Sequence, residues 1–160
     1  MYNLTVDEAH TFFVGDGQWL VHNACRQLDG SVSDDIIGNF FVDEAIRYHK
    51  QLPAQPSVTI GVTIFDNIKY VSINGNANKR AIEYLKKILN AEDVNLVIGS
   101  GKPPFLHAEG GLYRHLVYPD KIKIGISNSS GPCSEYCLPF FEGIAQFRDV
   151  EIFYPLKYWK

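Results

Sequence analysis

The sequence is short of everything that would place it in a disulfide framework, a membrane or a repeat array. It has 3 cysteines and 1 methionine among 160 residues. Three is an odd count and too few to staple a small domain, and two of them, Cys133 and Cys137, stand close together. Such a pair reads as metal-ligating, with Cys25 as a spare. No apolar run approaches the roughly 18 residues that a membrane-spanning helix needs. No basic start, apolar core and small-residue cleavage site opens the chain, so a secretory signal peptide is not expected. Excess basic charge is lacking too. The formal net charge is −3, and all 15 Lys and Arg follow residue 25, as do fifteen of the 18 acids. Residues 26–160 are thus formally neutral, which argues against a large nonspecific nucleic-acid surface and leaves only a local groove for such a partner. Repeats and low-complexity stretches are missing as well. What is there, 46% apolar and 21% charged, is the composition of a soluble globular domain with a short appendage.

The appendage is residues 1–25. Apolar residues cluster on both sides of Asp16-Gly17, which predicts a hairpin of short strands. Three motifs follow in order: Tyr2-Asn3-Leu4-Thr5-Val6, His10-Thr11-Phe12-Phe13-Val14 and Val21-His22-Asn23. The stretch resembles the C-terminal end of a Hint (intein-like) autoprocessing domain. In that family the last asparagine attacks its own carbonyl with help from the preceding histidine. Asn23 and His22 match these positions, and His10 matches the upstream histidine. The part of such a domain that carries the cysteine nucleophile is not among these residues. Ala24 stands where splicing needs Cys, Ser or Thr, so an inert remnant is expected. The resemblance also implies a context, because such domains sit just upstream of the toxin module in bacterial polymorphic toxins.

Residues 26–160 read as alternating helices and strands. Ile36, Ile37, Phe40, Phe41, Ala45, Ile46 and Tyr48 recur at helical spacing, and Pro53 and Pro56 end that helix. Ser57–Phe65 and Ile68–Asn74 flank Asp66-Asn67 as a β-hairpin. Asn76 is a candidate cap for a second helix running to about Asn90, with Ala81, Ile82, Leu85, Ile88 and Leu89 inward. A strand at Val94–Ile98, a helix from His107 to about Val117, a strand at Lys121–Ser127, a helix from Pro132 and a strand at Val150–Tyr154 follow. This is an α/β pattern that predicts a mixed sheet of four to five strands with helices on both faces.

His107-Ala108-Glu109 and Pro132-Cys133-Ser134-Glu135-Tyr136-Cys137 carry the chemistry. One imidazole and two thiolates can hold a zinc ion with its fourth position open, the mark of a catalytic site. Such an ion would bring the pKa of water toward about 7. Cysteines four apart share a helix face, and a helix N-terminus lowers a thiol's pKa, so both are expected on the first turns of one helix. The set resembles the zinc-dependent nucleobase deaminases, whose signature is H-x-E followed by P-C-x-x-C. Here three residues separate the cysteines. With the upstream Hint-like tail, residues 26–160 resemble the deaminase toxins of bacterial polymorphic toxin systems. That resemblance implies the cytidine deaminase-like three-layer fold and hydrolytic conversion of cytosine to uracil in nucleic acid, DNA favoured. It further implies His107, Cys133 and Cys137 as zinc ligands, Glu109 as the proton carrier, and substrate contacts from Asn74 and the Ala108 backbone N–H. A cognate immunity protein is the implied partner. The setting would be a monomeric effector delivered to a target-cell cytoplasm. An RNA or adenine deaminase, a nuclease using His107 and Glu109, and a non-catalytic zinc module stay open as alternatives.

Other features read as structural. Lys79, Arg80, Lys86 and Lys87 share a helix with Glu83 and suit a solvated face. Tyr113, Tyr118 and Tyr136 could stack on a base or fill the core. Trp159 with Lys157 and Lys160 is either a groove element or a tail. Gly99–Lys102 lacks the pattern of a phosphate-binding loop. His49 and His115 are expected at the surface.

Overall fold

The computed structural model describes residues 11–14 and 19–22 by their backbone, and residues 36–53 and 57–155 in full. The chain divides into two compact units, Met1–Ile36 and Ile37–Lys160. The expected boundary after residue 25 lies outside the described residues. In the first unit, β1 (Thr11–Val14) and β2 (Trp19–His22) pair antiparallel, with Val14 opposite Trp19 and Thr11 opposite His22. The predicted hairpin is present. Asp16-Gly17 and Asn23 lie outside the described residues.

The division falls at the start of α1 (Ile36–Gln51), which buries Phe41, Ala45 and Tyr48 at intervals of four and three residues. Ile36 and Ile37, expected inward, are exposed, because they precede the turn of α1 that meets the sheet. The hairpin β3 (Ile60–Phe65) and β4 (Ile68–Ile73) closes through Asp66 and Asn67, at φ 50° and 61°. Positive φ at both central residues gives the turn a twist that matches its strands, and Asp and Asn tolerate it best after glycine. Next, α2 (Lys79–Glu92) is capped by Asn78, not by Asn76, and the Asn78 side chain accepts the Arg80 N–H at 2.8 Å. Then come β5 (Asn95–Ile98), α3 (Ala108–His115), β6 (Lys121–Ile126), α4 (Cys137–Ala145) and β7 (Asp149–Phe153).

These strands form one mixed sheet in the order β5-β4-β3-β6-β7. β3 is antiparallel to both β4 and β6, whereas β4–β5 and β6–β7 are parallel. That topology dictates the layers. The crossovers β4–α2–β5 and β6–α4–β7 leave parallel strands toward opposite edges. Right-handed crossovers must therefore lie on opposite faces. Accordingly α1 and α2 pack on one face against Ile60, Val62, Val71 and Ile73. α3 and α4 pack on the other against Ile122, Ile124, Ile126 and Val150. The result is a three-layer α/β sandwich with two helices on each side. Alternation along the strands separates the two cores. Gly125 on β6 faces α1, where a Cβ would meet the Phe41 and Val42 backbone at 2.3 and 2.4 Å. Only glycine admits the helix that closely.

Arg47 bridges α1 and α2. Its guanidinium donates to Glu92 at 2.9 and 3.0 Å and to Glu44 at 2.8 and 3.1 Å. Tyr48 also donates to Glu92, and Lys69 pairs with Glu44. The basic residues of α2 are exposed, as a solvated face requires. Among the described residues, no helix is long and apolar enough to cross a membrane.

Candidate metal centre

Because β4 and β6 are parallel to each other and antiparallel to β3, the ends of β4 and β6 meet the start of β3 at one edge of the sandwich. Ligands of open α/β sheets sit in the crevice beyond the carboxyl ends of such strands. A cavity of about 390 Å³ opens there, with Asn74 just past β4, Ser127 just past β6, and Ser57 and Thr59 leading into β3. From α3 come His107 and Glu109, and from the turn before α4 comes Cys133.

His107 is the N-cap of α3, in extended backbone conformation, and its imidazole is not spent on capping. Its own N–H donates to the Pro104 carbonyl at 3.0 Å, and its carbonyl accepts the Gly111 N–H at 2.8 Å. The residue is thus fixed on both sides while its ring stays available. Two residues on, Glu109 lies in the first helical turn and is 3% exposed. The positive end of the helix favours a carboxylate there. Ala108, between them, is fully buried as the first helical residue, and first-turn N–H groups have no partner within their helix.

His107 Nδ1 lies 3.0 Å from Cys137 Sγ. The ligand atoms of His107, Glu109 and Cys137 all fall within 4.8 Å of one another, so the three could hold a metal ion. Sulfur at about 2.3 Å and nitrogen at about 2.0–2.1 Å from a tetrahedral zinc stand about 3.5 Å apart. The pair is therefore near ligand spacing already. Burial first, and then the charge and hydrogen bond of Glu109, push the Cys137 thiol well above its ordinary range. A cation among these atoms would displace the thiol proton and meet imidazole, thiolate and carboxylate together. The donor set fits a zinc ion.

Two expectations about the cysteines are corrected. α4 starts at Cys137, and Cys133 precedes it in a turn, so the two do not share a helix face. The turn is closed by the Leu138 N–H donating to the Cys133 carbonyl at 2.9 Å. The proline in the first turn of α4 is Pro139, where a missing N–H costs nothing, and not Pro132. Cys133 is half-buried and lines the cavity but stands outside the His107, Glu109 and Cys137 group. Nor is the Cys137 thiol lowered: burial first, and then Glu109, raise it.

Asn74 is 5% exposed and mostly committed to the fold. Its Oδ1 accepts the Thr59 N–H at 2.8 Å, and its Nδ2 donates to the Ser57 carbonyl at 2.9 Å and to Asn76. His49, expected at the surface, is half-buried and lines the cavity, because the stripe of α1 turns it toward the end of β6. Its Nδ1 is 2.8 Å from Ser127 Oγ, and burial lowers its pKa. Sequence reasoning missed both His49 and Ser127; the spacing of His49 one residue after the buried Tyr48 was the only local sign. His115 is exposed. Tyr113 is core, while Tyr118 and Tyr136 are exposed. The Tyr136 ring stands edge-on to His107 at 6.4 Å. His22 is described only as backbone in β2, and Cys25, Lys157, Trp159 and Lys160 lie outside the described residues. No family model, curated protein or solved structure matches this chain.

Proposed function

We propose that this protein is a zinc-dependent deaminase that converts cytosine to uracil in nucleic acid, DNA in preference to RNA, and acts as a toxin. The observation that carries this reading is the meeting of His107, Glu109 and Cys137 from two helices, beside a cavity that His107, Glu109 and Cys133 line. His107, Cys137 and Cys133 would hold the ion. When bound, zinc supplies the Lewis acidity that makes water a nucleophile at neutral pH. Glu109, buried beside them, takes a proton from the attacking water and passes it to the base's ring nitrogen N3. It then delivers the second proton to the departing amine. Water adds at C4, the C4–N4 bond breaks, and cytosine plus water becomes uracil plus ammonia. The Ala108 N–H at the start of α3 is available to the base carbonyl.

No lysine or arginine lines the cavity among the described residues. An uncharged base suits such walls better than the phosphate a nuclease must grip. The toxin reading rests on the Hint-like motifs of residues 1–25, and an immunity protein is its proposed partner. One observation favours a second arrangement: Glu109, not Cys133, completes the close group. In that case Glu109 would be a ligand and not the proton carrier, and Cys133 as a fourth ligand would close a structural site. Sequencing DNA and RNA after exposure to the zinc-loaded protein tests the proposal. Cytosine-to-thymine changes, absent with Glu109→Gln, are expected. Strand scission without base conversion would sink it.

A further inference from the structure

The wall of this cavity holds a histidine that the proposed reaction does not use. His49 comes from α1, on the opposite face of the sheet from α3 and α4, and reaches the cavity beside Ser127. Its Nδ1 sits 2.8 Å from Ser127 Oγ, and that oxygen also accepts the Ile60 N–H at 3.0 Å. In the tautomer whose Nδ1 is unprotonated, the Ser127 hydroxyl donates to His49 Nδ1. The neutral imidazole then carries its own proton on Nε2. Burial favours that neutral ring. Nε2 has no partner among the described residues. The neighbouring Asn74 has its Nδ2 donating to Ser57 and Asn76, so it is not the free donor of this wall. Away from Val58, His107 and Cys133 the lining is of hydroxyls and amides, with Glu109 the only carboxylate among the lining residues.

We propose that His49, oriented by Ser127, is a substrate-positioning residue that donates its Nε2–H to an uncharged oxygen of the nucleoside bound in this cavity. The proposal rests on the deaminase reading for the identity of that nucleoside. It assigns orientation to α1 and proton transfer to α3. A lost neutral hydrogen bond of this kind weakens binding about tenfold.

The test uses the full, zinc-loaded chain carrying Glu109→Gln, so that binding is measured without turnover. The probe is a single-stranded deoxyoligonucleotide with one cytosine, read by calorimetry beside zinc content and thermal melting. His49→Phe in this background should weaken binding about tenfold with zinc unchanged, and His49→Gln, which keeps a donor, should restore most of it. In the Glu109 protein, the same pair should change KM more than kcat. Should His49→Phe fail to fold, His49→Asn, with a shorter amide, stands in with the same expected weakening. Equal affinity in the donor-free variant, failure of Gln to restore it, loss of zinc with His49→Phe, or no binding by the parent would each overturn the proposal. Failure of the deaminase reading shows separately, as the absence of uracil when the Glu109 protein is given the same oligonucleotide.

Discussion

Gly110→Ala puts two well-measured effects in opposition within the helix that carries His107 and Glu109. Intrinsic preference favours alanine in a helix by about 1 kcal/mol. Packing opposes it. A Cβ at residue 110 would lie 2.2 Å from the Pro104 carbonyl oxygen and 2.6 Å from its carbon, where ordinary contact begins at 3.4 Å. Both are backbone atoms, so no side chain can swing aside. The same oxygen accepts the His107 N–H, which seats the N-cap. The helix and the loop must part by about 1 Å, and overpacking of that kind costs about 1–3 kcal/mol. A weakened hydrogen bond adds about 1 kcal/mol. Packing wins, with a net loss of about 2 kcal/mol and a drop in melting temperature of roughly 6 °C. Displacing His107 by that distance should also lower turnover about a hundredfold. Calorimetric melting of the metal-free protein reads the first effect, and the rate of uracil formation by the zinc-loaded protein reads the second. A melting temperature unchanged or raised by Gly110→Ala would refute the reasoning, since propensity would then have prevailed.

Further outcomes follow from the same structure. His107→Ala, Cys133→Ala and Cys137→Ala should each remove bound zinc, measured by elemental analysis. Glu109→Gln should keep zinc and abolish uracil formation, and Cys25→Ala should change neither. Loss of zinc with Glu109→Gln, and its retention with Cys133→Ala, would move Glu109 into the ligand set. Leu85→Ala removes a fully buried side chain from the α1–α2 core and should cost about 3 kcal/mol in denaturant melts. Hydrogen bonds from Arg47, against opposing burial and with help from Tyr48, hold the Glu92 carboxyl down at about 2, below its ordinary 4.5. A depressed carboxylate stabilises the fold above its unfolded value and loses that contribution as pH falls through the folded one. Stability should therefore decline from about pH 4.5 toward about pH 2, and Glu92→Gln should flatten part of that decline. An unchanged slope in the variant would show that Glu92 contributes nothing to acid sensitivity.

Much of the fold was legible in the sequence because burial within an element is periodic. Phe41, Ala45 and Tyr48 announced one face of α1, and Ala81, Leu85 and Leu89 one face of α2. Asp66-Asn67 announced a tight hairpin through its tolerance of positive φ. Element ends were less legible. Asn76 and Asn78 are chemically equal candidates for a cap, and only the path of the chain after β4 selects Asn78. Pro132 and Pro139 both suit a helix start, and packing of the preceding turn decides for Pro139.

The sequence by itself determined the alternation of helices and strands, the hairpin of β3 and β4, and the local relation of His107 to Glu109. Two residues at the start of a helix can only be N-cap and first turn, whatever surrounds them. The tertiary structure decided the rest. It set Cys137 against His107 and Glu109, left Cys133 in a turn beside them, and carried His49 from the other face of the sheet to the same cavity. The reason is physical. Spacing along one helix is a property of consecutive residues, whereas the meeting of α1, α3 and the turn before α4 depends on strand order. Strand order is set by hydrogen bonds and crossovers between segments far apart in the chain, and no local pattern records it.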